Sequence, residues 1–154
     1  RLVKEVGENF IWLNHDLADS MKINEAEIKH EIIRILKIHP EIQFAVDMEN
    51  IQDAVLPKVI KHMAMNGYCA KRSGEILLLL NPAWFDAYAV TGTTHGTWNP
   101  YDTHIPMLWY GWGIKKGITA RTVHMTDISA TIATLLHIQM PNGCIGECIG
   151  EVLK

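Results

Sequence analysis

Apolar and polar positions in the first 82 residues switch repeatedly between two periods. "NFIWLNHDL" (9–17) partly alternates every second residue, which predicts a strand. "INEAEIKHEIIRILKI" (23–38) follows the helical period, with Ile28, Ile32 and Leu36, joined by Ile35, on one face. Asn24 suits its N-cap, Glu25 and Glu27 sit in the first turn, and Pro40 closes it. "EIQFAVDM" (41–48) returns to period two, with Ile42, Phe44 and Val46 pointing one way. A further helical pattern covers 49–65, interrupted by Pro57 and ended by the Asn66-Gly67 turn. "GEILLLLNP" (74–82) is continuously apolar, as befits a central strand covered on both faces. The order β-α-β-α-β predicts an α/β class and a small split β-α-β layer, a sheet with two helices on one side.

The remainder is sparser. A loop leads to "MLWYG" (107–111), which predicts a strand, and a Gly-rich turn follows. In "TVHMTDISATIATLLHI" (122–138), Thr126-Asp127 start a helix whose apolar face is Ile128, Ile132, Leu135 and Leu136. Pro141 and Gly143 end it. Two lobes result, 1–88 and 89–154. One strand and one helix bury too little to fold alone, so the second lobe reads as the closing edge of a larger sheet. The chain also begins at Arg1 instead of Met, which points to a processed, cleaved or excised piece.

Composition narrows the partners. The 154 residues carry a net charge of −3 with pI near 6.2, which gives no basic footprint for nucleic acid and no polybasic stretch for a membrane surface. The longest apolar run, Ile76 to Leu80, is far short of a membrane span. Cys69, Cys144 and Cys148 make neither a disulfide framework nor a zinc ribbon and read as buried or half-buried structural residues.

The candidate chemistry lies in "TGTTHGTWNPYDTHIP" (91–106), where His95 and His104 stand on a Thr-rich loop ahead of the predicted strand. Gly92 and Gly96 permit tight turns that can aim a side chain, and loops at strand ends often carry function. Asp86 and Asp102 are acidic candidates to accept from an imidazole N–H. The bland alternative is that both histidines cap and brace the loop. Trp84, Trp98, Trp109 and Trp112 read as core and loop packing, since no basic residue is interleaved before Lys115. His30, His39 and His62 read as solvated, and His15, His124 and His137 carry no assignment. No nucleophile elbow, P-loop or dinucleotide fingerprint is present.

"TGTTHGTWNPYDTHIPMLWYGWGI" followed by "RTVHMTDISATIATLLHIQMPNGCIGECI" resembles the C-terminal end of bacterial alkaline phosphatases, in the type I phosphodiesterase/nucleotide pyrophosphatase branch of the alkaline phosphatase superfamily. "IWLNHDL" and "RSGEILLLLNPAWF" resemble the strands preceding that loop, so the likeness covers essentially the whole chain. It implies the C-terminal part of an α/β/α sandwich, with the β-α-β-α-β lobe attached, in a periplasmic or secreted enzyme. That enzyme hydrolyses phosphate esters, phosphomonoesters foremost, with two zinc ions clamping the two apical oxygens of an in-line displacement. It also implies that His95 is the last zinc ligand, on the leaving-group or incoming-water side, and that His104 lines or braces the site.

The family's Thr or Ser nucleophile, its Asp-His pair and its Asp-x-x-x-His ligands are missing, and catalytic zinc needs about three protein donors. The chain therefore reads as part of a longer phosphatase, inactive alone, whose partner is the rest of its own polypeptide. The rivals are a small interaction module with a structural histidine loop, and a stand-alone single-site metal-binding protein.

Overall fold

The structure, a computed structural model, describes residues 1–7, 9–85, 91–93 and 95–154. It divides into two compact units, Arg1–Ile105 and Pro106–Lys154. In the first, four strands form an antiparallel sheet in the order β1-β2-β4-β3: β1 Val3–Gly7, β2 Phe10–Leu13, β3 Ile42–Asp47 and β4 Ile76–Leu80. Among the described residues, helices α1 His15–Met21, α2 Glu25–Leu36, α3 Lys58–Gly67 and the single turn α4 Pro100–Thr103 accompany it, with a short 3-10 turn at Met48–Asn50.

Strand parity sorts the core into two faces. Phe10 pairs with Leu77, Val46 with Leu77 and Phe44 with Leu79; these residues pack with Met48, Ile51 and Ala64 of α3. The opposite parity brings Ile11 beside Ile76, while Leu13, two residues on from Ile11, packs with Ala18 of α1 and Ile28 of α2. The helices thus cover both faces, where the sequence predicts two on one side. β4, paired on both edges, supplies three of the most deeply buried side chains, Ile76, Leu77 and Leu79.

Local chemistry explains where the elements depart from the sequence pattern. The strand expected over 9–17 stops at Leu13, because the Asn14 side chain accepts from the Leu17 N–H at 3.2 Å and starts α1 instead. β1, mostly exposed and without clear alternation, is recruited as the outer half of a hairpin that turns at Asn9, whose φ is 68°. In β3 the register shifts between Ile42 and Phe44, so Ile42 pairs with Leu80 and leaves the face of Phe44 and Val46.

α2 is capped by Asn24, which accepts from the Ala26 N–H at 2.9 Å. Ile28 and, in part, Ile32 and Leu36 face inward, whereas Ile35 is 45% exposed. Removing the cap (Asn24→Ala) is expected to cost about 1 kcal/mol, read as a lower midpoint in urea with an unchanged slope. On the same helix Lys29 is buried and meets Asp47 at 3.0 Å and the Glu49 carboxylate, so its charge is compensated.

His15 ties three elements together. Its Nδ1 lies 2.6 Å from Glu25 at the start of α2, and its Nε2 lies 3.1 Å from Glu75 beside β4. Hydrogen bonding and charge from Glu25, with a smaller share from Glu75, raise its pKa against a partial desolvation cost. A raised folded-state value means the clasp contributes fully below the unfolded pKa of about 6.5. The contribution disappears as pH climbs through the higher folded value. The stability gap between wild type and His15→Ala should therefore narrow as pH rises from neutral to alkaline. A gap that is constant with pH would remove His15 as its source.

In the second unit, α5 spans Asp127–Leu136, as the pattern predicts. Its buried side is Asp127, Ala130, Thr131 and Ala133, packed with a deeply buried Ile149; Ile132 and Leu136, expected inside, are 40% and 52% exposed. Among the described residues, 107–111 form no strand. The unit's backbone pairing is a lone bridge from Ile114 to Leu153, reinforced by Lys115 N–H donating to the Val152 carbonyl. A strand exists only with a hydrogen-bonding neighbour, and 107–111 has no strand partner among the described residues. Leu108, Tyr110 and Trp112, at alternate positions, are almost fully to three-quarters exposed.

Candidate functional site

The loop of interest belongs to the first unit. Asn99 and Pro100 start a single helical turn, α4, Pro100–Thr103, with Pro at a position where its missing N–H costs nothing. The Asp102 carboxylate reaches back to accept from the Thr97 N–H at 2.9 Å, closing the loop on itself. Two ties fix the loop to the rest of the unit. Asn9, at the hairpin turn, donates to the Gly96 carbonyl at 3.4 Å. The Tyr101 hydroxyl accepts from the Ala83 N–H at 3.0 Å and from Asn99 Nδ2 at 3.1 Å. Gly96 adopts φ 100°, a region closed to most side chains, so glycine beside the histidine is required by the backbone. Trp98 packs on the core formed by Met48, Leu77 and Leu79.

These braces present His95 at the surface. It is exposed and lines a cleft of about 710 Å³ together with Gly96, Trp98, Leu80, Trp84 and Phe85. His104 is exposed at the C-terminal end of α4, where its N–H donates to the Pro100 carbonyl at 2.9 Å, and it does not line that cleft. The pKa of Asp102 is lowered, first by the Thr97 hydrogen bonds and also by the charge of His95. Asp102 is thus near enough to His95 to feel it, while its carboxylate oxygen Oδ2 is engaged by the loop backbone. Asp86 lies outside the described residues.

Among the described residues, no three His, Cys, Asp or Glu side chains gather as a metal site. The donors present supply one imidazole, which fits a single ligand position and falls short of the about three protein donors of catalytic zinc. The other predicted classes sort plainly. Cys69, Cys144 and Cys148 are free and half-buried. Trp98 packs as expected, whereas Trp84 and Trp112 stand 52% and 75% exposed. Sequence reading missed Asn9, Tyr101 and Glu75, because each acts through a residue distant in the chain.

No family model matches the chain. Over 154 residues it is 42% identical to a calcium-transporting ATPase of Myroides odoratus, covering 99% of this chain and 28% of that protein. It is 40% identical over 146 residues to alkaline phosphatase PhoV of Synechococcus elongatus, covering 95% of this chain and 26% of PhoV. Over 137 residues it is 41% identical to alkaline phosphatase PafA of Elizabethkingia meningoseptica, covering 89% and 25% respectively. The crystal structure of wild-type PafA superimposes with a TM-score of 0.96 at 34% identity, covering 99% of this chain and 29% of that one. The chain therefore spans 25% to 28% of the length of these curated relatives. Near-complete coverage of this mixed α/β fold, with its four-stranded antiparallel sheet, makes the chain a segment homologous to the bacterial alkaline phosphatases PafA and PhoV of the alkaline phosphatase superfamily.

Proposed function

We propose that this segment is part of a zinc-dependent phosphohydrolase that cleaves phosphate esters, phosphomonoesters foremost, and that His95 is its donor to the metal centre. The observation that carries the reading is the braced loop: in a chain homologous to alkaline phosphatases, Asn9 and Asp102 hold a glycine-flanked imidazole exposed on a cleft. The remaining donors and the nucleophile would come from polypeptide outside the segment. The segment alone would then hydrolyse nothing. Its place in an α/β/α sandwich, as the C-terminal part, is supported by the exposed alternation of Leu108, Tyr110 and Trp112 and by the apolar Ile132 and Leu136 left open on α5. Those faces would be buried by the rest of the sandwich. A periplasmic or secreted location goes with this reading and is tested by fractionating cells that express the intact protein.

The deciding experiment measures zinc content and phosphatase activity in the intact protein carrying His95→Ala, beside His104→Ala. Loss of both properties in the first variant and retention in the second is the expected pattern. Full zinc occupancy without His95 would remove it from the centre.

A further inference from the structure

We propose that the Tyr101 hydroxyl is a positioning group for the His95 imidazole: by pinning the histidine loop to the turn that leaves β4, it sets the zinc affinity of the intact protein. This deepens the function proposed above and rests on it, because that imidazole is the donor being positioned.

The anchor is built outward from the sheet. Asn81 directly follows β4; its N–H donates to the Glu41 carbonyl at 2.8 Å and its Nδ2 to the Pro40 carbonyl at 2.6 Å. The turn is thus fastened to the chain entering β3, whose Ile42 pairs with Leu80. The Asn81 carbonyl accepts from the Trp84 N–H at 3.1 Å, closing the turn over Pro82 and Ala83. Ala83 adopts φ 67°, a left-handed conformation that a Cβ disfavours. Such a residue persists where its surroundings over-determine it, and strained positions of this kind gather at functional sites. The group that grips it from outside the turn stands on the histidine loop, since the Ala83 N–H donates to the Tyr101 hydroxyl at 3.0 Å.

The other end of the tie is equally defined. Asn99 Nδ2 donates to the same hydroxyl at 3.1 Å, and the Asn99 carbonyl accepts from the Asp102 and Thr103 N–H groups at 2.9 and 3.0 Å. The Asp102 carboxylate accepts in turn from the Thr97 N–H. A continuous run of hydrogen bonds therefore carries the position of the Tyr101 oxygen to Thr97, two residues from His95. A phenol oxygen accepts two bonds, and these two donors use both; a phenylalanine ring would satisfy neither. The other tie, Asn9 on the Gly96 carbonyl, is longer at 3.4 Å. A histidine holds metal well when its ring direction is fixed by groups behind it, and here that support runs through the loop to Tyr101.

The test titrates the intact protein with Zn2+ alone against a competing chelator. Tyr101→Phe keeps the ring and removes the acceptor, at a residue 59% exposed. Its zinc dissociation constant should rise about tenfold, the lower end of what groups supporting a metal ligand are worth, because it acts through the loop. The thermal midpoint of the metal-stripped protein should hold. The discriminating measurement is the same substitution in a His95→Ala background, at the higher zinc concentrations that variant needs. A group acting through the imidazole then has nothing left to act on, so the second substitution should add nothing. An unchanged dissociation constant in Tyr101→Phe, or an equal further rise in the His95→Ala background, overturns the proposal, whatever the midpoint does. Failure of the underlying reading shows separately, as full zinc affinity in His95→Ala alone.

Discussion

The intact protein with His95→Ala is expected to lose zinc and at least about a hundredfold in kcat/KM for phosphate esters. Even partners one step removed from a metal ligand are worth about 10–100-fold in affinity or activity, so His95, proposed above as a direct donor, should reach the upper end or exceed it. The fold should survive. The His95 side chain is exposed, and the loop around it is held by Asn9 on the Gly96 carbonyl, by Asp102 on the Thr97 N–H and by Trp98 in the core. Elemental analysis and an unchanged thermal midpoint separate loss of metal from loss of structure. His95→Cys, which offers a different zinc donor, should recover part of the metal.

The second large effect falls on Asp127. This buried carboxylate starts α5 and accepts two backbone bonds, from His124 at 2.9 Å and from Glu147 at 2.9 Å. It thereby fastens the C-terminal tail to the helix start. One turn on, the Thr131 hydroxyl donates to the Asp127 carbonyl and accepts from the Ile149 N–H. Gly146 shows how close the tail lies, since a Cβ there would come within 2.0 Å of the Thr126 carbonyl oxygen.

In Asp127→Ala two N–H groups in part-buried hydrogen bonds lose their acceptor; a fully buried donor is worth about 1–3 kcal/mol, so a combined loss of about 2 kcal/mol is expected. Asp127→Asn keeps one acceptor oxygen and should cost less. The hydrogen bonds from His124 and then Glu147 lower the Asp127 pKa. Its contribution is therefore complete above the unfolded value of about 3.9 and is lost as pH falls through the lower folded value. Guanidinium titrations at neutral pH test the variants. A loss in Asp127→Ala no larger than in Asp127→Asn would show that the clamp is not the source.

Much of the chain was readable one element at a time. Asn24 caps α2 and Asp127 opens α5, because capping and apolar periodicity act within a turn or two of helix; the helical pattern over 49–65 gives only a 3-10 turn at Met48–Asn50 and, past Pro57, α3 from Lys58. β4 reads as central because its continuous apolar run needs cover on both faces. The errors have a common cause. β1 carries little pattern of its own and becomes a strand only by pairing with β2; 107–111 alternates and, with no paired neighbour among the described residues, forms none. Ile132 and Leu136 have helical spacing, but the small face of Ala130 and Ala133 is what the second unit buries.

The candidate site divides in the same way. The amino acids alone specify a histidine between turn-forming residues and a likeness to alkaline phosphatases, since both are carried by neighbouring letters. Only the tertiary structure decides that Asn9 and Tyr101 brace that loop, that Trp84 and Phe85 share its cleft, and that His15 meets Glu75 sixty residues away. Hydrogen bonds and cavities depend on which surfaces folding brings together, and chain-local preferences do not encode that choice.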